Sequence, residues 1–539
     1  MRARAPDVVI INTSYKKREM PLVDIPIVLD FEEFALQKHI PNFASQNDFY
    51  SKHNICHQEF KLFIEDFFAE QNSLISLGYS FPSGVLLGID NWDDIEFYFL
   101  VVFVQKIKGR DVEVLNPSRI HKLFLSKHGN FRVLCLRAFI KIVFLFVRGA
   151  LRGVLGKRSS INKNVFISLW DGTGKFRDKY YGDLPSISES YSFIVFSGGK
   201  SVFLRNLGHS VAIERVIPLR SHCKIFLQQI RLLLTNHYDD CGCAKLKKYL
   251  RFKELEGGLV NTNLLGQELG NSLAFKTNRS SVLIFPFENR TWEKLLCGSL
   301  KGTLTYTVGY NHAMITSRHL ALTVLGAATP KSILPDRIVS CGKLTFEKLV
   351  AFFSEKDIDM RAGPALRLSN NHLLTRKNQY IFMPTSSGIG EAKFLIKIAE
   401  QIFLKTGFIS LIRPHPSVSL AAISNDSGTK GLMFSNGAAV LDELEGAAAC
   451  VFVSSSVGAE AAYRRVPSVC LATDDLFGVN PVEGSSEVSS LASTNELIAW
   501  ISKTIVIDSA KKSDEFSSYI YNSRSSFSDL ELKRLFDLK

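Results

Sequence analysis

From residue 165 onward the chain repeats one unit. A short apolar run breaks into Gly, Ser or charged residues, and a stretch with helical spacing follows. "NVFISLW", "SFIVFSG", "SVLIFPF", "GTLTYTVGY" and "DRIVSCG" form one series. "QYIFMPTSSG", "FISLIRPHP", "ACVFVSSS" and "PSVCLA" form a second, with helical segments such as "GEAKFLIKIAEQIFLKT" and "SVGAEAAYRR" between them. A strand apolar on both faces has to be covered on both faces, and strands alternating with helices build parallel sheets. Two such series, divided near residues 343–376, predict an α/β chain with two Rossmann-like domains facing across a cleft.

At 539 residues the chain exceeds what a single core serves. The reading divides it into an N-terminal accessory region (1–160), a first Rossmann-like domain (161–345), a second (376–510) and a helical tail (511–539). Charged residues make up 22% and hydrophobic ones 46%, a globular rather than a disordered balance. The formal net charge of +13 favours anionic partners: nucleic acid, an anionic membrane surface or phosphorylated substrates. No basic tail, zinc-finger spacing or aromatic-glycine signature accompanies that charge, so nucleic acid is not expected as a partner. The nine cysteines contain no CxxC pair, which suits reduced thiols in a cytosolic protein. Cys241 and Cys243 in "DDCGCAK" read as a surface loop or, with a second half that the sequence does not supply, as half of a metal site.

Residues 1–125 mix short apolar runs with polar loops, and "FEEFALQKHIPNF" and "CHQEFKLFIEDFFAEQN" have amphipathic helical spacing. Residues 131–158, "FRVLCLRAFIKIVFLFVRGALRGVLGKR", are the most membrane-like stretch. Their longest charge-free run, Ile142 to Val147, falls far short of the roughly 20 residues that a spanning helix needs. On a helical wheel Arg137, Lys141, Arg148 and Arg152 share a sector of roughly 60°, opposite a Phe/Leu/Ile/Val face. Two readings fit: a helix lying in a membrane interface, or a domain-packing helix with a solvated basic face.

Parallel sheets bind ligands at the carboxyl ends of their strands, so the chemistry is sought at the strand exits. "RPHPS" ends one strand with Arg413, His415 and Pro416, a cation and an imidazole held by rigid backbone and suited to an anion. "PTSSGIGEA" ends another with Thr385, Ser386 and Ser387 before a helix. "CVFVSSSVGAEAAYRR" repeats that design with Ser454, Ser455 and Ser456, and Glu460 follows on the helix. Such hydroxyls cap helices and equally bind phosphate. In the first series Glu288 leaves "SVLIFPF" and Asp171 leaves "NVFISLW", two carboxylates available as a general base. Glu288 also reads as a charge complementing the dipole of the helix "ENRTWEKLL". Trp292 and Glu293 of that segment read as its packing side, and His312 in "GYNH" as a ligand contact or a structural histidine.

"RPHP" at one strand exit and "SSS" at another resemble the HP and SS motifs of bacterial sialyltransferases and of capsule and lipopolysaccharide Kdo transferases. "FPFENRTWEKLL", "VGYNHAMI" and "LPDRIVSCGK", together with "DKYYGDLPS", are similar to segments of the bacterial surface carbohydrate biosynthesis protein family. The resemblance spans residues 165–475 and does not extend to the first 160. It implies a GT-B fold and a glycosyltransferase moving Kdo or a sialic-acid-like nonulosonic acid from a CMP-sugar to a lipopolysaccharide or capsule acceptor. It also implies that His415, Pro416, Ser454 and Ser455, and with them Glu460, contact the donor, while Arg413, Ser456, Ser386 and Ser387 are read from their strand exits as further donor contacts. Glu288 or Asp171 would serve as base, and His312 would meet the donor carboxylate or the acceptor. No metal or other cofactor is expected. The implied partners are the nucleotide sugar, a lipid-linked glycan and an anionic inner-membrane surface, with the protein peripheral at the cytoplasmic face. A CDP-glycerol or UDP-sugar GT-B transferase, or a non-catalytic capsule assembly or export factor, is the competing expectation.

Overall fold

The computed structural model describes residues 8–11, 28–30, 43–44, 112–115, 131–155, 161–168, 180–188, 190–196, 210–234, 259–276, 281–316, 322, 329–368, 378–386, 389–415, 418, 420–423, 430–471, 480–485, 488–506 and 519–538. They form three sheets, every strand pair of which is parallel.

The first sheet joins β1 (Val8–Ile11), β2 (Val28–Asp30), β3 (Phe43–Ala44) and β4 (Val112–Leu115) in the order β3-β2-β1-β4. No strand was legible here, because two- to four-residue runs carry too little pattern to be told from loop. The segments at 31–43 and 56–72 with helical spacing lie outside the described residues, apart from Phe43 at the start of β3. Helix α1 (Phe131–Leu155) follows. Among the described residues no helix is long and apolar enough to cross a membrane.

The second sheet contains β5 (Asn164–Ser168), β6 (Tyr191–Val195), β7 (Ser210–Ala212), β8 (Ser281–Pro286), β9 (Thr305–Asn311), β10 (Arg337–Ser340) and β11 (Asp359–Ala362). Helices α2 (Leu219–Leu234), α3 (Leu259–Lys276), α4 (Thr291–Leu300) and α5 (Lys343–Phe353) connect its strands. Its spatial order is β11-β10-β9-β8-β5-β6-β7. The third sheet contains β12 (Tyr380–Pro384), β13 (Ser410–Arg413), β14 (Leu432–Phe434), β15 (Ala447–Phe452), β16 (Ser468–Leu471) and β17 (Ser489–Leu491). With it go α6 (Ile389–Thr406), α7 (Val440–Gly446), α8 (Ser456–Tyr463) and α9 (Thr494–Val506). Its order is β14-β13-β12-β15-β16-β17.

Both large sheets start at a central strand, run outward to one edge, then return to pair on the other side of the starting strand. That is the doubly wound Rossmann order, and it opens a crevice between β5 and β8 in one sheet and between β12 and β15 in the other. The molecule is therefore α/β with two Rossmann-like parallel sheets, seven- and six-stranded, as the GT-B expectation requires. Every residue of β5, β8 and β15 is buried, which explains their largely apolar sequence. The edge strands β7, β11, β14 and β17 are short and partly exposed.

After α9 the chain returns to the second sheet. Residues 519–538, including helix α10 (Asp529–Leu535), lie against it: Asn522 bridges Pro364, and Arg337 donates to the carbonyls of Arg534 and Leu535, each at 2.8 Å. Tyr521 stacks edge-on against Tyr463 of α8 at 5.6 Å, and Phe536 against Tyr310 of β9 at 5.8 Å. One continuous apolar core thus runs from Phe166 and Tyr310 through Tyr521 to Tyr463 and Phe452. Gly342 makes the approach possible, since a Cβ there would stand 2.2 Å from the carbonyl oxygen of Ile520. The described cysteines Cys223, Cys297, Cys341, Cys450 and Cys470 are free thiols. Burial pushes Cys341 up to about 11 and Cys470 to about 12.

Candidate functional site

In the second sheet the crevice strand β8 ends at Pro286, and the chain turns sharply into α4. Asn289 makes the turn with φ 58°, a left-handed conformation that Asn tolerates better than most residues. Its buried amide donates to Thr329 Oγ1 at 3.2 Å. Glu293, one turn into α4, reaches back and accepts the backbone N–H groups of Glu288 and Arg290 at 3.0 and 3.2 Å. These are donors that a helix N-terminus leaves without intrahelical partners. Glu293 is 2% exposed, and burial, followed by the nearby Glu288 charge, raises its pKa well above the ordinary carboxylate value. Trp292 is equally buried, packed against Phe196 and Phe285 at 5.1 and 5.9 Å between ring centres. The segment "ENRTWE" is thus an anchor that presents its first residue.

That residue, Glu288, keeps about a quarter of its side chain exposed: 26%. Its carboxylate is ion-paired with Arg290, and His312 Nε2 lies 3.6 Å from the other carboxylate oxygen. His312 sits just past the end of β9, nearly buried, with its ring edge-on to Tyr180 at 4.5 Å. The rest of the "VGYNH" string is architectural. Gly309 leaves room for the Phe287 side chain, whose Cβ would stand 2.9 Å from any Cβ there and its ring 3.0 Å. Tyr310 donates its hydroxyl to the Pro364 carbonyl at 2.9 Å. Asn311 donates to the Phe287 carbonyl at 3.0 Å. Glu288, Arg290 and His312 therefore make a compact carboxylate–guanidinium–imidazole group beside the β5/β8 crevice. Asp171, the rival carboxylate, lies outside the described residues.

The third sheet gathers the other motifs on three adjacent strands, β13, β12 and β15. Thr385, just past β12, joins the first two exits: its hydroxyl accepts the His415 N–H at 3.1 Å, and its own N–H donates to the Arg413 carbonyl at 3.0 Å. Ser386 gives both its N–H and its hydroxyl to Glu391 of α6, at 2.8 and 2.5 Å. His415 is exposed at the strand exit, and the protein around it removes enough water to lower its pKa below the usual imidazole value. Arg413 points inward, where Nη1 donates to Glu443 and to the Ala438 carbonyl at 2.5 and 2.8 Å. Glu443 is 6% exposed in its side chain and also accepts the Ser435 hydroxyl. The guanidinium read as a phosphate ligand thus balances a buried carboxylate of its own domain.

At the exit of β15, Ser454 is half-buried, Ser455 buried and Ser456 exposed. Ser455 occupies the N-cap position of α8, but its side chain makes no capping bond. The helix lies close on its sheet because Gly458 carries no side chain; a Cβ there would fall 2.2 Å from the Phe452 ring. Glu460 is half-buried and accepts from Arg464 Nε at 3.4 Å. Ser387 and Pro416 lie outside the described residues.

The partners Arg290, Tyr180, Glu391 and Glu443 were not singled out as functional from the sequence. Arg290 and Tyr180 lie inside quoted motifs, "FENRTWE" and "DKYYGDLPS", where neighbours drew the attention. Glu391 and Glu443 carry no sequence signal beyond an acid in a first helical turn. Among the described residues no three His, Cys, Asp or Glu side chains gather as a metal site.

No family model matches this chain, and no curated protein matches it by sequence. Among solved structures it is similar to the wall teichoic acid polymerase TagF, at 13% identity and a TM-score of 0.38, over 76% of this chain and 97% of that one. It is also similar to the lipopolysaccharide outer core galactosyltransferase WaaB, at 10% identity and a TM-score of 0.37, over 70% and 98%. A third similar structure is the UDP-N-acetylglucosamine 2-epimerase from Rickettsia bellii, at 9% identity and a TM-score of 0.40, over 70% and 96%. At such identities and scores these are resemblances of fold and carry nothing about activity.

Proposed function

We propose that this chain is a GT-B glycosyltransferase that moves a nonulosonic acid, Kdo or a sialic-acid-like sugar, from its CMP donor to a bacterial surface polysaccharide acceptor. The observation that carries the reading is topological. Two doubly wound sheets each open a crevice at the carboxyl ends of their strands, and the polar motifs stand beside those two crevices.

In this reading the donor lies on the third sheet. His415, Ser454, Ser455 and Ser456, with the N-terminus of α8, take the CMP phosphate. Ser386, Ser387 and Pro416 shape the pocket, and Glu460 receives a ribose or sugar hydroxyl. Arg413 acts as a positioning residue, holding the β13 exit through Glu443. The acceptor lies on the second sheet. Its hydroxyl oxygen attacks the anomeric carbon of the sugar, the bond from that carbon to the phosphate oxygen breaks, and CMP leaves with the electron pair. Glu288 takes the hydroxyl proton, with Arg290 paired to its carboxylate and His312 oriented to the sugar carboxylate or the acceptor. Asp171 is the rival for the base. Leaving-group charge is met by side chains and helix dipole, without a metal.

The deciding experiment is calorimetric titration of the purified chain with CMP, CDP and UDP, repeated on His415→Ala. Selective CMP binding that the substitution abolishes supports the reading and directs CMP-Kdo and CMP-sialic acid into transfer assays. Preference for CDP or UDP moves the assignment to a glycerol-phosphate or UDP-sugar transferase. Binding of none of the three moves it to a non-catalytic assembly or export factor.

A further inference from the structure

Among the described residues, helix α1 meets the second-sheet domain by one face. Ala138 is 5% exposed, and Gly149 lies so close to His222 of α2 that a Cβ would stand 2.7 Å from the imidazole. Phe146 packs on Phe226 at 4.7 Å, and Arg148 pairs with the buried Glu214 at 3.5 Å. At about 100° per residue, Leu136, Ile140 and Val147 point roughly the opposite way from Ala138 and Gly149. Together with Phe139, Phe144 and Leu151 they are left in water, Leu136 and Ile140 at 59% and Phe144 at 63% exposure. Six large apolar side chains exposed on one helix exceed the scattered single residues normal on a soluble surface. The packing reading of this segment is realised on one face of the helix, and the other face is left exposed.

We infer that this face docks on an anionic lipid bilayer, lying in its interface without crossing it. The charge pattern chooses the occupant. The helix contains five Lys or Arg residues and no Asp or Glu. Arg137 and Lys141, both exposed, border the apolar arc on one side, where they reach the headgroup level while the Phe, Leu and Ile side chains enter the acyl boundary. A second copy of the chain meeting this face across a two-fold axis would bring the same cations against one another, so an isologous dimer is disfavoured. The anchoring of α1 to α2 makes the docking rigid: membrane contact holds the β5/β8 crevice at a set height above the lipid surface. This inference does not depend on the transferase reading, since it needs no catalytic turnover to be tested.

The test is flotation of the full chain with vesicles of phosphatidylcholine alone and of phosphatidylcholine with one-third phosphatidylglycerol. The chain is expected to float with the anionic vesicles and to stay behind with the neutral ones. Arg137→Gln with Lys141→Gln should lower the partition coefficient roughly thirtyfold, as expected for two juxtamembrane cations. Ile140→Ser with Phe144→Ser should abolish flotation while leaving the thermal melt unchanged, because both side chains stand in solvent. If the wild-type chain fails to float, if either variant floats like wild type, or if α1 is protected only in a concentration-dependent dimer, the inference is overturned. Failure here leaves the nucleotide titration untouched, so the two proposals fail separately.

Discussion

The buried carboxylate of Glu293 accepts the backbone N–H of Glu288 at 3.0 Å, holding the candidate base from seven residues past the end of its strand. The third sheet repeats the device. There Glu391, also seven residues past a strand-ending proline, accepts the N–H of Ser386 at 2.8 Å. In each case a carboxylate in the first turn of the following helix ties down the strand exit, so the polar residue at the crevice has little freedom to move. Both sheets preorganise their exits by the same local rule, the reach-back of an N-terminal helical Glu to orphan N–H groups.

Substituting Glu293 separates its hydrogen bonds from its charge. Glu293→Ala leaves two half-buried N–H groups without their acceptor and should cost about 1–3 kcal/mol in urea unfolding. Glu293→Gln retains an acceptor oxygen and should be far milder. The folded pKa of Glu293 is raised, so the folded state binds its proton more tightly than the unfolded one. Wild-type stability should therefore fall relative to Glu293→Gln as pH rises above the ordinary value of 4.5. Melting temperatures of the two proteins across pH check the sign; wild type losing stability relative to Glu293→Gln as pH is lowered would refute it.

Glu288→Gln should lower the rate of sugar transfer by about 10²–10⁴-fold while CMP binding and the melting temperature stay near wild type. A matching loss with Asp171→Asn and none with Glu288→Gln would transfer the base to Asp171. Single-turnover transfer from a CMP-sugar makes the comparison.

His415 gives a pH signature. Its folded pKa is lowered by desolvation, so in the free protein it is mostly neutral near neutrality. A bound phosphate favours the imidazolium, and CMP affinity should therefore tighten as pH falls from about 7.5 to about 6. His415→Asn should flatten that dependence. For stability the sign is opposite: the unfolded imidazole takes up its proton first, so this residue's contribution is lost as pH falls through 6.5. Titration calorimetry at several pH values, with a melt at each, measures both.

Gly342→Ala should loosen the return of the C-terminal segment. The new methyl would meet the Ile520 carbonyl at 2.2 Å, a contact with backbone that no rotamer relieves. Overpacking of this kind costs about 1–3 kcal/mol. Limited proteolysis should then cut between residues 519 and 538 sooner than in wild type, and an unchanged cleavage pattern would show that the segment is held elsewhere.

The sequence by itself located the central strands, because each is buried on both faces and therefore written as a largely apolar run: "NVFISLW", "SVLIFPF" and "ACVFVSSS" mark them, although the third begins at Ala447, ahead of the run that was legible. It likewise marked the strand exits, where apolar runs break into Ser, Gly and charge, and the amphipathic character of α1. The edge strands at 210–212, 359–362, 432–434 and 489–491 were not legible, since the first is only three residues long, the others are half-exposed, and each becomes a strand by pairing with a neighbour. Nor was the role of Arg413. Its sequence context offers a free cation at a strand exit, and only the fold brings Glu443, thirty residues later, beneath it. The pairing of Glu288 with His312 has the same origin, joining residues of two strands that the sheet order makes neighbours. Local pattern reports whether a residue is buried, which is a property of its own segment. Which charge stands opposite which is a property of strand order, and strand order is decided by the packing of the whole chain.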